Sequence, residues 1–336
     1  MSVRLLVAAP GAEPVHARFT DLPRHLAPGD LLVVNESATI PAAVDAVRAD
    51  RTRVQLHFST PDPAGDGWLV ELRRDGRRVR DARAGERLEL PAGASARLTV
   101  PEALTPTSSL HTPRIGGPSP LWRARLELGA PVLQFLARHG RPITYAHDLT
   151  PRPLRDFQTI FSRVPGSAEM PSAGRPFTRR LLHELAARGV GVARLVLHTG
   201  VSSLERGERP YAERYAVPGA TAARVNAARR SGGRVIAVGT TVTRALETVA
   251  RRDGTVGAGA GWTDLVLTAA RGVRAVDGLI TGWHDDGASH LDLLEAVGGP
   301  ELVAASYAVS DGYRRHERGD SHLLLRRPAA AAARAA

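Results

Sequence analysis

Two histidines stand where an apolar run gives way to a loop. His198 closes "LVLH" and leads into "TGVSS", and His284 follows "LITGW". Imidazole titrates near neutral pH, so a His placed there can act as a general base. The ends of parallel strands open onto a shared crevice, which sets these two apart from the rest of the 12 histidines. A strand-end His bonded to backbone accounts for each equally well. A third signal is "GGRVIAVGTTVTRALE", where a buried strand ends in Gly239-Thr240-Thr241 and a helix starts at once. Amides at a helix N-terminus attract anionic groups, and a glycine lets a ligand approach the backbone. Thr240 or Thr241 is expected to cap this helix, and Arg244 and Glu247, three apart, share one face. An ordinary capped helix with a surface ion pair fits the same spacing.

Other chemistries are closed off. The 336 residues include no cysteine, which excludes disulfides, zinc–thiolate and iron–sulfur sites and every cysteine nucleophile. Lysine is also absent, so all 45 basic residues are arginine. Walker phosphate loops, Schiff-base enzymes and protein kinases each need a lysine. No G-x-S-x-G elbow occurs, "HE" at 183–184 lacks the second histidine of a zinc helix, and no His/Asp/Glu group has ligand spacing. No catalytic metal is expected. "GAGAG" at 257–261 precedes a strand rather than opening a helix and reads as a turn.

A formal charge of +11, from 45 Arg against 34 Asp+Glu, invites a polyanionic partner. The run "RRDGRRVRDARAGER" gathers Arg73, Arg74, Arg77 and Arg78, with Arg80 and Arg83, in one short stretch. Such a run can track phosphates or simply form a solvated hairpin; no aromatic residues interleave for base stacking.

These residues need elements to position them. With 43% hydrophobic residues the chain can bury a full core, and its length suggests about two domains. Leu31 to Val34 is a continuous apolar run after a Pro28-Gly29-Asp30 turn, as in a strand buried on both faces. From about Arg51 the texture changes to short alternating segments separated by Gly, Pro and Asp, with Asp75-Gly76 as a hairpin turn. We expect a small antiparallel β-barrel over 51–129, inserted into a layered α/β domain made of 1–50 and 130–325. Residues 326–336, "RRPAAAAARAA", read as a frayed tail. Beyond the insertion, "FTRRLLHELAARGV" predicts a helix with Thr178 as N-cap, Phe177 stapling onto Leu182 and Gly189 as its stop. In the helix after Gly239, Val242, Ala245, Leu246 and Val249 form one apolar face. No apolar stretch reaches the roughly 18 residues of a membrane span, and the N-terminus lacks signal-peptide features, so a cytoplasmic location is expected.

Taken in order, "FTDLPRHLAPGDLLVVNESATIPA" (19–42), "FQTIFSRVPGSAEMPSAGRPFT" (157–178), "LVLHTG" (195–200), "GGRVIAVGTTVTRALE" (232–247), "GWTDLVL" (261–267), "VDGLITGWH" (276–284) and "GYRRHERGDSHLLL" (312–325) span nearly the whole chain. In this combination the chain resembles the S-adenosylmethionine:tRNA ribosyltransferase-isomerase family of queuosine biosynthesis. The resemblance implies one large α/β domain with an inserted antiparallel barrel. It also implies S-adenosylmethionine used as a ribosyl donor. The sulfonium acidifies the ribosyl C5′–H, a base removes that proton, and the sugar rearranges with loss of adenine and methionine. An epoxycyclopentanediol is then left on the aminomethyl group of a 7-deazaguanine in tRNA. Carried over position by position, the resemblance places Asn35, Ser172, Gly174, Phe177, Thr178, Gly239, Thr240, Thr241, Arg244, Glu247, Asp264 and Thr281 at the adenosylmethionine. His198, Glu213 or His284 would supply the base.

The chain also departs from the family pattern. "VNDTRVIPAR" reads "VNESATIPAA", with Ala38 for arginine; "AGLHFT" reads "AGRPFT", with Pro176 for histidine; and "NFHLPxSTL" has become "GWHDDGASHL". "GTFxPV" becomes "SSLERGE", and Glu208 and Tyr211 stand where paired histidines are usual. Alternatives are a diverged enzyme using the same ylide chemistry on a small molecule, and a non-catalytic RNA-binding relative. A monomer is expected.

Overall fold

The computed structural model describes residues 3–65, 67–101, 121–144, 150–201, 211–284, 289–315 and 318–326. The tail read at 326–336 falls almost wholly outside the described residues, as does the altered segment around Glu208. The chain opens with the hairpin β1 (Arg4–Ala8) and β2 (Val15–Arg18), then β3 (Leu31–Asn35) and β4 (Ser37–Thr39). A run of short strands follows: β5 (Ala43–Val47), β6 (Arg53–Pro61), β7 (Trp68–Arg74), β8 (Arg77–Arg78), β9 (Arg87–Glu89), β10 (Ser95–Pro101) and β11 (Trp122–Glu127). Next come α1 (Val132–His139), β12 (Val164–Ser167), α2 (Arg179–Ala187), β13 (Gly191–Leu197), β14 (Glu213–Val217) and α3 (Gly219–Arg230). The chain then passes through β15 (Val235–Val238), α4 (Thr240–Val249), β16 (Gly259–Thr263) and β17 (Gly278–Gly282). It closes with α5 (Ser289–Gly298), α6 (Pro300–Ala308) and β18 (Ser321–Leu325).

The large domain is built on a nine-stranded sheet in the order β16-β14-β13-β3-β15-β17-β18-β1-β2. β3 lies at its centre, parallel to both neighbours, with Val33 opposite Ala193 on β13 and Ala237 on β15. The unbroken apolar run of β3 follows from two covered faces. Leu31 and Val33 enter the core with Ala245 and Leu246 of α4 and Val225 of α3. Leu32 and Val34 enter the opposite core with Phe161, Phe177 and Leu181.

The short strands close into a six-stranded antiparallel barrel, as expected for the insertion, with Trp122 of β11 pairing Val70 of β7. Its strands begin at Ala43, ahead of the change in texture at Arg51. Leu56, Phe58, Leu72, Leu88 and Leu98 fill its interior, and Phe135 and Leu136 of α1 pack against it. The Asp75-Gly76 turn has φ of 52° and 73°, as the hairpin joining β7 to β8 requires. The "GAGAG" reading is corrected: Gly259, Ala260 and Gly261 lie within β16, paired with β14. Backbone pairing holds its glycines, and Thr263 at its end is bonded through its hydroxyl to Thr248 at 2.6 Å.

Candidate active site at the strand ends

The strands β3, β13, β15 and β17 run in one direction, so their C-terminal ends lie along one edge of the sheet. The antiparallel β14 and β18 bring their first residues to the same edge, where Leu197 pairs Tyr215 and Thr281 pairs His322. Asn35, His198, Glu213, Gly239–Thr241, Thr281 and His284 are thereby assembled from distant parts of the sequence. An open α/β sheet places its ligand crevice at this edge.

Asn35 ties the edge together. Its Nδ2 donates to the Leu197 carbonyl at 2.7 Å and to Thr241 Oγ1 at 3.4 Å. Its Oδ1 accepts the Ser37 N–H at 3.0 Å and the Leu197 N–H at 3.1 Å. These four bonds use the full capacity of the amide, so Asn35 clamps β3, β13 and α4 together. Gly239, with φ of 103°, turns the chain sharply from β15 into α4. It is the N-cap, and among the described residues no side chain caps the helix, which corrects the expectation for Thr240 and Thr241. As the first helical residues they sit in the turn whose amides have no intrahelical acceptor.

His198 is 4% exposed. Its Nδ1 lies 2.7 Å from Ser37 Oγ, and its ring covers Gly166 so closely that a Cβ there would come within 2.4 Å of Nδ1. Burial first, and then the Arg214 charge, pushes its pKa down to about 4, so the ring is neutral at pH 7. Glu213 accepts the Gly200 N–H at 3.0 Å through Oε1 and pairs with Arg244 through Oε2. Arg244 is itself fixed by the carbonyls of Tyr211, Thr263 and Leu265. His284 Nε2 lies 3.1 Å from Thr281 Oγ1, and its backbone N–H donates to the Tyr307 hydroxyl.

A model of the family described as queuosine biosynthesis protein matches residues 1–324. The chain belongs to that family. It is 38% identical over 329 residues to the S-adenosylmethionine:tRNA ribosyltransferase-isomerase of Moorella thermoacetica, covering 92% of this chain and 89% of the relative. It is 39% identical over 340 residues to the protein of that name from Anaeromyxobacter dehalogenans, covering 96% and 92%. The fold is similar to the crystal structure of S-adenosylmethionine tRNA ribosyltransferase from Thermotoga maritima, with a TM-score of 0.51 and 24% identity over 96% of this chain and 93% of that one.

Several candidates of this queuosine biosynthesis chain make contacts within its framework. Phe177 packs edge-on against Phe19 and Phe161 at centroid distances of 5.0 and 5.3 Å, and Thr178 Oγ1 caps α2 by accepting the Leu181 N–H. Glu247 lies two turns into α4, and its buried carboxylate accepts the N–H groups of Arg274 and Ala275. It anchors the loop that leads into β17, away from the crevice. The surface ion pair between Arg244 and Glu247 does not form: both are buried, Arg244 on Glu213 and Glu247 on Arg271. Ser172 and Gly174 form a short 3-10 turn whose Ala173 lies beside Gly239, and Asp264 is exposed just past the end of β16. In the arginine hairpin, Arg73 and Arg78 both bind Glu71, which is 0% exposed, at 2.7 and 3.1 Å. They neutralise a buried carboxylate, and only Arg74 and Arg77 of the four project from the hairpin as exposed residues.

Sequence reading missed Ser37 and Ser167, whose hydroxyls lie 2.6 Å apart behind His198. Both lie within quoted motif segments, but nothing in those segments pairs them, because their role depends on β4 pairing with β12 across a separation of 130 residues. Beside the same edge, Asp320 holds the loop before β18 by accepting from the backbone and guanidinium groups of Arg4 and Arg314.

Proposed function

We propose that this protein transfers and isomerises the ribosyl moiety of S-adenosylmethionine onto 7-aminomethyl-7-deazaguanine in tRNA, giving epoxyqueuosine and releasing adenine and methionine. The observation that carries this reading is the convergence of Asn35, His198, Glu213 and Gly239–Thr241 on one sheet edge, in a chain whose family is that of queuosine biosynthesis. The uncapped turn at Gly239 supplies backbone amides for an acceptor group of S-adenosylmethionine. The short turn that holds Ser172 and Gly174 brings Ala173 beside Gly239, and Thr281, bonded to His284, follows Ile280, whose carbonyl accepts the Gly239 N–H.

We assign the base to Glu213. An ionised carboxylate offers only lone pairs, about four acceptor sites, and Gly200 and Arg244 engage it without filling them. The carboxylate takes the C5′ proton that the sulfonium acidifies, the ribose ring opens as adenine leaves, the acceptor amine bonds to the opened sugar, and the freed ring oxygen displaces methionine as the cyclopentane and its epoxide close. Exposed arginines, Arg74 and Arg77 among them, supply the charge for tRNA, and the protein acts as a cytoplasmic monomer.

Purified protein incubated with S-adenosylmethionine, with and without tRNA bearing the aminomethyl-deazaguanine, tests the reading by adenine and methionine release and by the mass of the RNA. Release that requires this tRNA, with a matching mass gain, is expected. Release without tRNA, or no release in either case, overturns it.

A further inference from the structure

The buried hydroxyls behind His198 determine which of its nitrogens carries the proton. Ser37 Oγ lies 2.7 Å from His198 Nδ1 and 2.6 Å from Ser167 Oγ, and Ser167 Oγ already accepts the Thr199 N–H at 3.1 Å. Both serines are 0% exposed. Each hydroxyl has one hydrogen to place, and a buried donor left without an acceptor forfeits the hydrogen bond that water would have supplied. One direction places both: Ser167 donates to Ser37, and Ser37 donates to Nδ1. In the other direction Nδ1–H donates to Ser37 and Ser37 to Ser167, which leaves the Ser167 hydrogen without an acceptor among the described residues.

With Nδ1 accepting, a neutral ring bears its proton on Nε2. The ring cannot turn to exchange its nitrogens freely, because it sits on Gly166 and is backed by the Asn35–Ser37 turn. Its Nε2 has no hydrogen-bond partner among the described residues, at the edge where Asn35, Glu213 and Gly239 meet.

We propose that His198 meets the substrate as a fixed hydrogen-bond donor, with Nε2–H oriented by the Ser167–Ser37 relay, and that it is not the base of the reaction. No proton is transferred. The N–H stabilises a substrate lone pair, on a purine nitrogen or ribosyl oxygen, that gains negative charge as adenine departs. This role rests on the reading that the crevice binds S-adenosylmethionine; the tautomer itself does not.

Protein labelled with ¹⁵N-histidine reports the tautomer at pH 7, with the His198 signals assigned by their loss in H198Q and their shift in S37A. We expect Nε2 in the protonated and Nδ1 in the unprotonated range, and a mixture of tautomers in S37A. An Nδ1–H tautomer, a doubly protonated ring, or an unchanged pattern in S37A overturns the relay. In turnover, H198Q keeps an N–H and should stay within about 10-fold of the parent, whereas H198L should lose about 10²–10³ in kcat with little change in KM. Equal losses in H198Q and H198L overturn the donor role. Should the unmodified protein release no adenine, the functional reading fails while the spectrum still decides the tautomer.

Discussion

At Glu213 a carboxylate is held from two sides, by the Gly200 amide and the Arg244 guanidinium, in a position that keeps lone pairs open. Glu213→Gln preserves the shape and removes the carboxylate proposed as the proton acceptor. Turnover should fall by about 10²–10⁴ while S-adenosylmethionine still binds, as adenine release and equilibrium binding would show. A second residue-scale prediction concerns His322. It stacks on Trp283 at 4.7 Å, is fully buried, and neither ring nitrogen has a hydrogen-bond partner among the described residues. His322→Leu removes two unsatisfied polar atoms and should stabilise the protein by about 1–3 kcal/mol in denaturant titration.

Among the elements, the segment that pairs β12 with β4 sets the His198 ring, and Gly166 is where the two meet. Gly166→Ala puts a methyl group into that ring, so activity should drop at least 10-fold, a loss about the size that displaced catalytic groups show, with the circular dichroism spectrum unchanged. The barrel hairpin divides its arginines by role. Charge reversal at Arg74 and Arg77 should weaken tRNA binding and reduce the slope of log K against log salt by about 2, measured by filter binding across salt concentrations. Glu71→Ala should instead destabilise the barrel by about 3–5 kcal/mol, because Arg73 and Arg78 lose their buried partner. The sequence shows six arginines in a row of turns and strands. It does not show which of them face Glu71, because that depends on the β7–β8 register.

For the molecule as a whole, buried histidines set the acid limit. Burial pushes His57 and His322 down to about 3 and His198 to about 4, from the ordinary 6.5. The unfolded chain takes up these protons as pH falls below about 6.5, while the folded protein does not, so stability rises with pH across this range. It is fully present above pH 6.5 and is lost as pH falls toward the folded values. Where all three differ in protonation, the slope approaches about 4 kcal/mol per pH unit. Urea midpoints measured between pH 7.5 and 5 should fall steeply, and less steeply in His322→Leu.

Local pattern was enough to reveal much of this protein. The both-sided burial of Leu31–Val34, the Asp75-Gly76 hairpin, the Thr178 cap and the apolar face of α4 each depend on near neighbours in the chain. The ordered motifs likewise announced the family, and strand-end position picked out His198 and His284. Tertiary structure alone decided the partners of the polar groups. Arg244 binds Glu213 from 31 positions away, Asn35 reaches Leu197 across 162, and His198 takes its tautomer from Ser37 across 161. Side-chain spacing in sequence carries no record of such contacts, since they form only when parallel strands bring their ends to one edge and exclude the water that would otherwise satisfy each group separately.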